Sequence, residues 1–354
     1  MGVRRLLVRL LGGAPPANEA DRRREFALSA FRNILQREPT PDELEHWART
    51  AGEIGPGKVL DLMFGSDEFQ HRNRVARRSE FYAGHFYSPV VDPEALAASG
   101  FSVDRDVPPS ALPGLAMDPD RMVRFWDEQL PAMRAADFPE EETPGRRYYA
   151  RNDLYSWGDA YVLAAMLAAH RPGRIVEIGS GFSSACMLDL VDAMGLSTAF
   201  TFVEPYADRL KGLLTEADRA RCTLLEVPVQ ATGPELYEAL GPGDVLFIDS
   251  THVSKAGSDV NFELFEILPR LKPGVVVHVH DIFYPFEYPE DWIFRQRRSW
   301  NEAYALRAFL AFNSAFEILF FNDYFGRHHA DHARATLPRF LDNPGGGLWL
   351  RKTA

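Results

Sequence analysis

Residues 174–191, RIVEIGSGFSSACMLDLV, run from an apolar segment through an acid, two glycines and three serines into a second apolar segment. RIVEI has the near-continuous apolar character of a buried strand, and the second apolar segment has the length and pattern of a helix. Gly179 and Gly181 allow the backbone to turn tightly and to approach a ligand closely, where a Cβ atom would collide. The stretch therefore predicts a strand, a glycine turn and a helix whose free N–H groups favour a negative ligand group.

The same alternation of apolar strands and amphipathic helices continues to the end of the chain. Strands are predicted at 174–178, 199–204, 222–227, 244–249, 274–280, 316–321 and 346–352. Helices are predicted at 156–170, 183–194, 206–217, 233–240, 259–271 and 301–313. This pattern indicates an α/β fold with a doubly wound, mostly parallel seven-stranded sheet covered on both faces. Such sheets bind ligands beyond the carboxyl ends of their strands, so the residues that follow each strand are the candidates for chemistry.

The length of 354 residues favours one large domain with a smaller companion. A helical pattern over 21–78 includes Thr40 with Glu43 as a capping box and Pro41 at the first helical position, which predicts a small all-α domain. Prolines and acids interrupt 79–147, which reads as a connecting and covering region around one helix near 120–133. The α/β domain is predicted to span 148–354.

Composition and charge exclude several classes of protein. The net charge of -11 argues against general nucleic-acid binding, which needs a clustered basic surface. Cys186 and Cys222 lie in apolar periodic segments, as core thiols do in a reducing compartment. No segment has the length and apolar character of a transmembrane helix, and the opening MGVRRLLVRLLGGAPP lacks a secretory apolar core. We therefore expect a cytoplasmic protein, with a weak membrane-surface helix at the N-terminus as a lesser alternative.

Two residues near the glycine turn distinguish between classes of nucleotide cofactor. The dinucleotide fingerprint G-x-G-x-x-G is incomplete because Ser184 occupies its last position, and Glu177 would repel a pyrophosphate but help to hold an ammonium group. Glu204 follows the second strand, where an acid suits ribose hydroxyls, and Gln230 follows the third, where it meets an adenine edge. The predicted cofactor-binding residues are Glu177, Gly179, Ser180, Gly181, Ser183, Glu204, Gln230 and Asp249.

Histidines and aspartates follow the fourth and fifth strands. Asp249 and His252 come after the fourth strand, and His280 and Asp281 come after the fifth. Unpaired charges buried there would cost several kcal/mol, so these groups must pair with each other, a ligand, a metal or water. His280 or His252 is the predicted general base and Asp281 or Asp249 its orienting partner, because an imidazole titrates near neutral pH. A bracing network without catalysis is the alternative.

Residues 148–353 resemble the class I S-adenosylmethionine-dependent methyltransferases. VEIGSGFSS at 176–184 matches the first motif of that family, with Ser183 at its third glycine position, and Glu204 matches the acidic second motif. The stretch 257–289 followed by WNEAYALRAFL is similar to a bacterial subfamily associated with polysaccharide and secondary-metabolite modification. The resemblance implies S-adenosylmethionine as cofactor. Because catechol-type members bind a divalent metal through carboxylates at the ends of the fourth and fifth strands, it also implies a tentative metal set of Asp249, Asp281 and His280.

The N-terminal residues NILQREPTPDELEHW and FGSDEF resemble a small helical domain found beside bacterial glycan-modifying enzymes. With the methyltransferase resemblance, this implies methyl transfer to an oxygen or nitrogen atom of a small molecule, such as a sugar or glycan intermediate. A nicotinamide-dependent oxidoreductase and a noncatalytic binding module in a glycan-assembly complex are the alternatives. The sequence leaves the acceptor and the oligomeric state open.

The candidates for acceptor binding come from two segments. The aromatic and proline-rich run after the fifth strand has no regular period, so we expect a lid. Its arginines Arg295, Arg297 and Arg298 favour an acceptor with a phosphate or carboxylate group, or form a solvated charge run. Before the α/β domain, YYARNDLYSW brings further polar and aromatic residues towards the cleft. The predicted substrate residues are Tyr149, Asn152, Trp157, Arg295 and Arg298. The histidine-rich GRHHADH, which includes residues 327–332, is interpreted as a polar surface loop.

Overall fold

Seven strands form one sheet in the computed structural model, in the order β3-β2-β1-β4-β5-β7-β6. The strands are β1 Arg174–Ile178, β2 Ala199–Val203, β3 Cys222–Leu225, β4 Val245–Ile248, β5 Val276–Val279, β6 Phe316–Phe321 and β7 Leu348–Lys352. The first five are parallel, and β7 runs antiparallel to both β5 and β6. The predicted mostly parallel seven-stranded sheet is confirmed.

The centre of the sheet lies between β1 and β4, where the strand order reverses. Both β4 and β5 are buried along their whole length, in keeping with their continuous apolar sequences. The carboxyl ends of β1, β4 and β5 reach the same edge, so the segments after these strands meet there. Parallel sheets bind ligands at such a reversal point.

Helices cover both faces of the sheet in the unit Pro93–Ala354. The α-helices formed by the residues that the structure describes are α1 Glu19–Ala30, α2 Pro41–Ile54, α3 Pro56–Gly65, α4 Pro93–Ala98, α5 Pro119–Ala135, α6 Trp157–His170, α7 Phe182–Ala193, α8 Asp208–Leu213, α9 Glu216–Arg221, α10 Glu235–Glu238, α11 Asp259–Phe262, α12 Glu302–Leu310, α13 Asn322–His328 and α14 Ala330–Thr336. Helix α6 is buried almost throughout and packs on α5 and α7. Helix α5 contributes Trp126, whose ring stacks on Phe325 with centroids 4.6 Å apart.

Two local predictions are wrong. The helix expected over 206–217 is two helices, because Thr215 begins α9 with a capping box in which Asp218 N–H donates to its Oγ1 at 3.2 Å. The histidine-rich segment is not a surface loop but spans the end of α13 and the start of α14. There His328 stacks on Tyr324 at 4.5 Å. These histidines pack against aromatic rings, some one helical turn away and others distant in sequence, and this packing was not visible in the local pattern.

The unit Met1–Asp92 has its own small core. Helix α2 begins with the predicted capping box, since the side chain of Thr40 accepts from Glu43 N–H and Glu43 accepts from Thr40 N–H. Phe31, Val59 and Met63 are buried in this core. The structure describes residues 18–35, 37–66, 81 and 83–354, so the proposed membrane-surface helix and part of the predicted 21–78 domain lie outside the described residues.

None of the helices built from the described residues is both long and apolar enough to cross a membrane. The larger core, from Leu112 to Leu350, lies wholly within Pro93–Ala354. Cys186 is buried and Cys222 is half-buried, and both are free thiols. Their positions agree with the interpretation of both as apolar packing groups.

Candidate functional site

A cleft of about 500 Å³ lies at the carboxyl ends of β1, β4 and β5. Gly179 follows β1 with φ of 78°, and a Cβ atom there would lie 1.7 Å from the carbonyl oxygen of Asp249, which follows β4. The two loops therefore cross in contact at the reversal point of the sheet. Glycine is required at this crossing both by its left-handed backbone and by the lack of space.

Glu177 lies beneath the glycine turn instead of lining the cleft. It is fully buried, and its carboxyl group accepts hydrogen bonds from Ser183 Oγ at 2.5 Å and from Ser184 Oγ. Burial raises the pKa of Glu177 to about 8, although the serine hydroxyls oppose this shift. Ser184 Oγ also accepts from Gly181 N–H at 3.0 Å. The carboxyl group thus supports the first turn of α7, which differs from the expected contact with a ligand ammonium group.

The other predicted cofactor residues line the cleft or a groove that continues from it. The glycine turn and the first residues of α7 border the cleft, and Glu204 borders both cavities. Glu204 accepts hydrogen bonds from Ser180 N–H at 3.1 Å and Tyr206 N–H at 2.7 Å. The groove has a volume of about 450 Å³ and includes Gln230, whose Nε2 donates to the carbonyl oxygen of Gly257 at 2.9 Å. The structure brings together Gly179, Ser180, Gly181, Ser183, Glu204, Gln230 and Asp249.

Two imidazoles and two carboxylates converge on one wall of the cleft. His252 Nε2 lies 3.5 Å from Asp249 Oδ1 and 3.6 Å from Asp281 Oδ2, and His280 Nε2 lies 3.7 Å from Asp281 Oδ1. His280 Nδ1 lies 3.3 Å from Nε2 of His278. All of the predicted catalytic residues therefore meet, although they come from two different strand ends.

The carboxylates keep both imidazoles charged near neutral pH. Burial alone would lower the pKa of His280, but Asp249 and Asp281 raise it to about 9. Burial likewise opposes charge on His252, yet hydrogen bonds to Asp249 and Glu302 raise its pKa well above the ordinary value. Burial raises the pKa of Asp281, whereas on Asp249 the attraction of His280 and His252 exceeds the effect of burial and the pKa is lowered. Because both imidazoles are protonated, either histidine must first lose a proton before it can act as a general base.

Glu302 belongs to the site, and the sequence interpretation missed it. Its Oε2 accepts a hydrogen bond from Nδ1 of His252 at 2.8 Å, and the side chain is buried. The backbone N–H groups of Asn301 and Glu302 both donate to the carbonyl oxygen of His252, at 3.1 and 3.2 Å. His252 itself has φ of 60°. The start of α12 therefore fixes both the backbone and the imidazole of His252, a contact across 50 residues that no local pattern indicates.

The tentative metal set does not fit a metal site as it stands. Among residues 18–35, 37–66, 81 and 83–354, no group of three or more His, Cys, Asp or Glu side chains is arranged to hold a metal ion. The imidazole of His252 lies between the carboxylates of Asp249 and Asp281, where a shared ion would need to be. His280 contacts the same carboxylate of Asp281.

The predicted substrate residues divide into those near the cleft and those away from it. Arg298 lines the cleft, with its guanidinium 4.0 Å from the ring centre of Trp292 and 4.4 Å from that of Trp300. Asn152 borders an adjacent cavity, but its side chain bonds within its own turn, to Tyr149, Leu154 and Tyr155.

Three other predicted substrate residues lie away from the cleft. Tyr149 packs edge-on against Phe182 at 5.1 Å. Trp157 points into the packing around Tyr161 and lies under Arg339. Arg295 is exposed and pairs with Asp291 at 3.0 Å. None of the three lines the cleft, because Tyr149 lies behind Phe182, the indole of Trp157 packs beside Tyr161, and Arg295 is exposed to solvent.

The aromatic run after β5 is a packed wall of the cleft. Tyr284, Phe286 and Tyr288 are buried in the core, whereas Trp292 and Trp300 reach the cleft. The indole of Trp300 lies 4.4 Å from the imidazole of His252. The segment therefore encloses the catalytic wall.

Parts of this chain are similar to known proteins. Residues 176–282, from β1 through the residue after Asp281, match the model of a family described as a methyltransferase domain. An uncharacterized protein of Archaeoglobus fulgidus is 27% identical over 165 residues, which cover 45% of this chain and 73% of that protein.

Solved structures of low identity are also similar. For the SAH-bound methyltransferase PaMTH1 of Podospora anserina, the TM-score is 0.34 and the identity 17%, over 67% of this chain and 89% of that chain. For the Mg-SAM structure of cmcI-D160, the TM-score is 0.34 and the identity 18%, over 79% of this chain and 100% of that chain. The predicted enzyme class, a methyltransferase, is confirmed by the domain match. The match gives no support to the oxidoreductase or to the noncatalytic module.

Proposed function

We propose that this methyltransferase transfers the methyl group of S-adenosylmethionine to an oxygen or nitrogen atom of a small acceptor, in particular a hydroxyl group of a sugar or glycan intermediate. The observation that carries the proposal is the meeting of His252 and His280 with Asp249 and Asp281 beside the glycine turn. A hydroxyl acceptor must lose a proton as it is methylated, and an imidazole held by carboxylates is suited to take it.

The cofactor is proposed to lie along the cleft and the groove. The N-terminus of α7 faces the cleft with free N–H groups and a positive dipole end, which suit the methionyl carboxylate. Glu204 lies between the two cavities, where it suits the ribose hydroxyls, and Gln230 lies in the groove with the adenine. Glu177 acts from below, by holding Ser183 and Ser184 in the turn.

The wall residues have distinct proposed roles in the transfer. When bound, the cofactor supplies an electrophilic methyl group on a sulfonium. His252 accepts the acceptor proton at Nε2, because Glu302 holds its Nδ1–H and fixes the tautomer. Asp249 and Asp281 stabilise the resulting imidazolium. The bound cofactor would supply the methyl group and His252 would take the proton, and a positioned base of this kind typically contributes about 10²–10⁴-fold to the rate.

The larger organisation of the chain remains a prediction. The predicted helical domain at 21–78 and its resemblance to domains beside glycan-modifying enzymes support a docking role in glycan modification. Helices α1 to α3 and their separate core are compatible with that role. A cytoplasmic location rests on the sequence alone.

The first test is a calorimetric titration of the full-length protein with S-adenosylhomocysteine and with NADH. We expect S-adenosylhomocysteine alone to bind, and Gly179→Arg to abolish the binding because any side chain there meets the backbone of Asp249. Gly195→Arg is the matched control, since Gly195 also has a positive φ of 61° but a Cβ atom added there would meet no other atom within 4 Å. NADH binding alone would overturn the proposal.

The second test is a screen with radiolabelled S-adenosylmethionine and candidate acceptors. It is run after chelation with EDTA and again with added Mg²⁺ or Mn²⁺. We expect labelled product without added metal, lost in His252→Ala while the affinity for S-adenosylhomocysteine is retained. Activity that requires metal would contradict the role given to His252, and unchanged activity in His252→Ala would remove that residue from the mechanism.

A further inference from the structure

A second cavity opens from the catalytic wall on the side of α6 and the loop before β7. This side chamber has a volume of about 420 Å³ and shares Asp153, His280, Asp281 and Trp292 with the cleft. The chamber does not include the glycine turn or Glu204, which border only the cleft and the groove. A ligand in the chamber can therefore contact His280 and Asp281 without competing for the proposed cofactor site, and His252 lies 3.6 Å from that aspartate on the cleft side. Its size is typical of small-molecule pockets, which run from about 300 to 1,000 Å³.

The charges of the side chamber disfavour an anionic ligand. Among the described residues that line it, the charged side chains are His280 and the carboxylic acids Asp153, Asp159 and Asp281, with neither lysine nor arginine. Arg298 lines the adjoining cleft, where its guanidinium lies over the rings of Trp292 and Trp300. A phosphate or carboxylate in the chamber would meet the negative charges of Asp153 and Asp281, and the imidazolium of His280 is already paired with Asp281 at 3.7 Å. This differs from the phosphate-bearing acceptor that the arginine cluster predicts from sequence.

One part of the chamber wall is aromatic and the rest is polar. Trp292 and Phe283 meet edge-on with ring centres 5.0 Å apart, and both line the chamber. Ser156, Asn343 and the backbone of Gly346 add uncharged hydrogen-bonding groups. An aromatic surface suits the C–H face of a saturated ring, while short polar groups suit its hydroxyls. A few polar groups in a mainly shaped pocket fix orientation in this way.

Asp159 adds a buried group that the proposed mechanism does not use. It is buried at the start of α6, and its Oδ1 accepts a hydrogen bond from Asn322 Nδ2 at 3.0 Å. Burial raises the pKa of Asp159 to about 7, although His280 opposes the shift. Near neutral pH this carboxyl group can donate as well as accept a hydrogen bond, which matches the dual character of a hydroxyl group.

We propose that the side chamber is the acceptor site and that it takes an uncharged, polyhydroxylated ring, such as an unphosphorylated sugar residue. This inference rests on the proposed methyltransferase function. The ring lies against Trp292 and directs one hydroxyl past Asp281 towards His252 and His280. That hydroxyl gives its proton to an imidazole, forms the C–O bond to the methyl carbon, and the C–S bond of the cofactor breaks. A charged phosphate remains outside the chamber.

The test is saturation-transfer NMR on the full-length protein saturated with S-adenosylhomocysteine. The probes are methyl glycosides of glucose, galactose, mannose and rhamnose, with glucose 1-phosphate as the anionic comparison and glucosamine as the cationic one. We expect transfer to at least one methyl glycoside that is more than threefold stronger than to either charged probe. Stronger transfer to a charged probe would overturn the proposal, and so would the absence of transfer to every glycoside.

Three variants locate the binding. Trp292→Ala removes the aromatic wall, and Asp153→Lys replaces a lining carboxylate, which can accept hydrogen bonds from sugar hydroxyls, by a longer side chain that has no acceptor, so both are expected to reduce glycoside transfer at least threefold. Glu128→Lys is the matched charge reversal at an exposed acid outside the chamber, and we expect no change. Calorimetry with S-adenosylhomocysteine accompanies each variant. If the wild-type protein does not bind S-adenosylhomocysteine, the methyltransferase function itself is overturned. If it binds S-adenosylhomocysteine but Trp292→Ala leaves glycoside transfer unchanged, only the assignment of the side chamber as acceptor site is overturned.

Discussion

Glu302 illustrates how one buried side chain can set the chemistry of another. Its carboxylate holds Nδ1 of His252, so that Nε2 faces Asp249 and Asp281. We expect Glu302→Gln to lower kcat about 10–100-fold, less than the roughly 10²–10⁴-fold that a positioned base contributes because His252 itself remains, with little change in affinity for S-adenosylhomocysteine. Glu266→Gln, at an exposed acid paired with Arg270, is the control.

Glu302→Gln is also expected to change the pH dependence of kcat, which a purely structural defect would not do. Glu302 is among the groups that raise the pKa of His252, so its neutral replacement lowers that pKa. A base acts in its deprotonated form, and the wild-type rate is therefore expected to rise towards alkaline pH. In Glu302→Gln the rising limb moves to lower pH, as measured by the kcat profile and by NMR titration of the imidazole. A reduced kcat with an unmoved limb would contradict the positioning role.

Glu177 gives a prediction about stability. Its pKa is raised to about 8 by burial, so its contribution to stability is present below about pH 4.5 and is lost as the pH rises through about 8. We expect Glu177→Gln to increase the free energy of unfolding at pH 9 relative to the wild type, by at most about 5 kcal/mol, because the pKa is raised from 4.5 to about 8 and each unit is worth about 1.4 kcal/mol. Urea unfolding at pH 5 and pH 9 measures this difference, with Glu216→Gln on the surface as control.

The affinity of Glu177→Gln for S-adenosylhomocysteine tests the placement of this residue. The carboxyl group lies under the turn, and Ser183 and Ser184 can reorient their hydroxyls to serve an amide. We therefore expect affinity within about threefold of the wild type. A tenfold loss would mean that Glu177 reaches the ligand, as the sequence interpretation held.

At the scale of elements, Arg147 connects the segment before α6 to two helices. Its guanidinium donates to Asp218 at 2.7 Å from both Nε and Nη2, and to Asp189 at 2.7 Å from Nη1. Burial opposes ionisation of Asp218, but Arg147 and Thr215 hold its pKa well below the ordinary value. Helices α7 and α9 are thus joined through the Arg147 guanidinium, and at the surface also through Arg221, which donates to Asp192 at 2.6 Å.

Replacement of Arg147 by methionine leaves two buried carboxylates without their main partner. Such a change typically costs about 3–5 kcal/mol, and we expect a loss of that size in urea unfolding at pH 7. Arg151→Met is the matched control, because Arg151 is 66% exposed in its pairs with Glu140 and Glu141 and such pairs contribute about 0–1 kcal/mol. Equal losses of unfolding free energy in the two variants would show that the buried ion pairs of Arg147 contribute no more to stability than the exposed pairs of Arg151.

The elements that were predicted best from the sequence are those whose residues carry a recognisable local pattern. Strand β1 and the glycine turn follow from RIVEI and from two glycines, because a buried strand and a left-handed turn leave their mark within a few residues. The break before α9 also has a local signal, Thr215 with Asp218 three residues on, that the amphipathic pattern masked. The contact between His252 and Glu302 spans 50 residues and has no such signal.

The sequence also did not predict the direction in which individual side chains point. Asn152 and Trp157 are five residues apart, yet one borders the side chamber and the other packs under Arg339. Arg295 and Arg298 are three apart, and only Arg298 reaches the cleft. A segment without a regular hydrophobic period does not indicate which of its side chains face inwards. Proximity in sequence therefore predicted which segments lie near the site, but not which of their side chains line it.

At the scale of the molecule, the two units have separate cores. The core of Pro93–Ala354 includes Trp126 and Met122 of α5, and the core of Met1–Asp92 is formed by residues of α1 to α3 and the turn after α1. A chain of residues 93–354 is therefore expected to fold and to bind S-adenosylhomocysteine with the affinity of the full-length protein. Circular dichroism and calorimetry measure both properties.

A chain that begins at residue 148, the predicted start of the α/β domain, is the informative comparison. It lacks Trp126, which stacks on Phe325 at 4.6 Å and donates from Nε1 to Thr336 at 2.9 Å, and it lacks Arg147. Deletion of a buried indole alone typically costs about 3–5 kcal/mol, a large part of the stability of a domain. We expect this shorter chain to be insoluble or unfolded. A folded chain of 148–354 that binds the cofactor would show that α5 is a covering element and not part of the core on which the site depends.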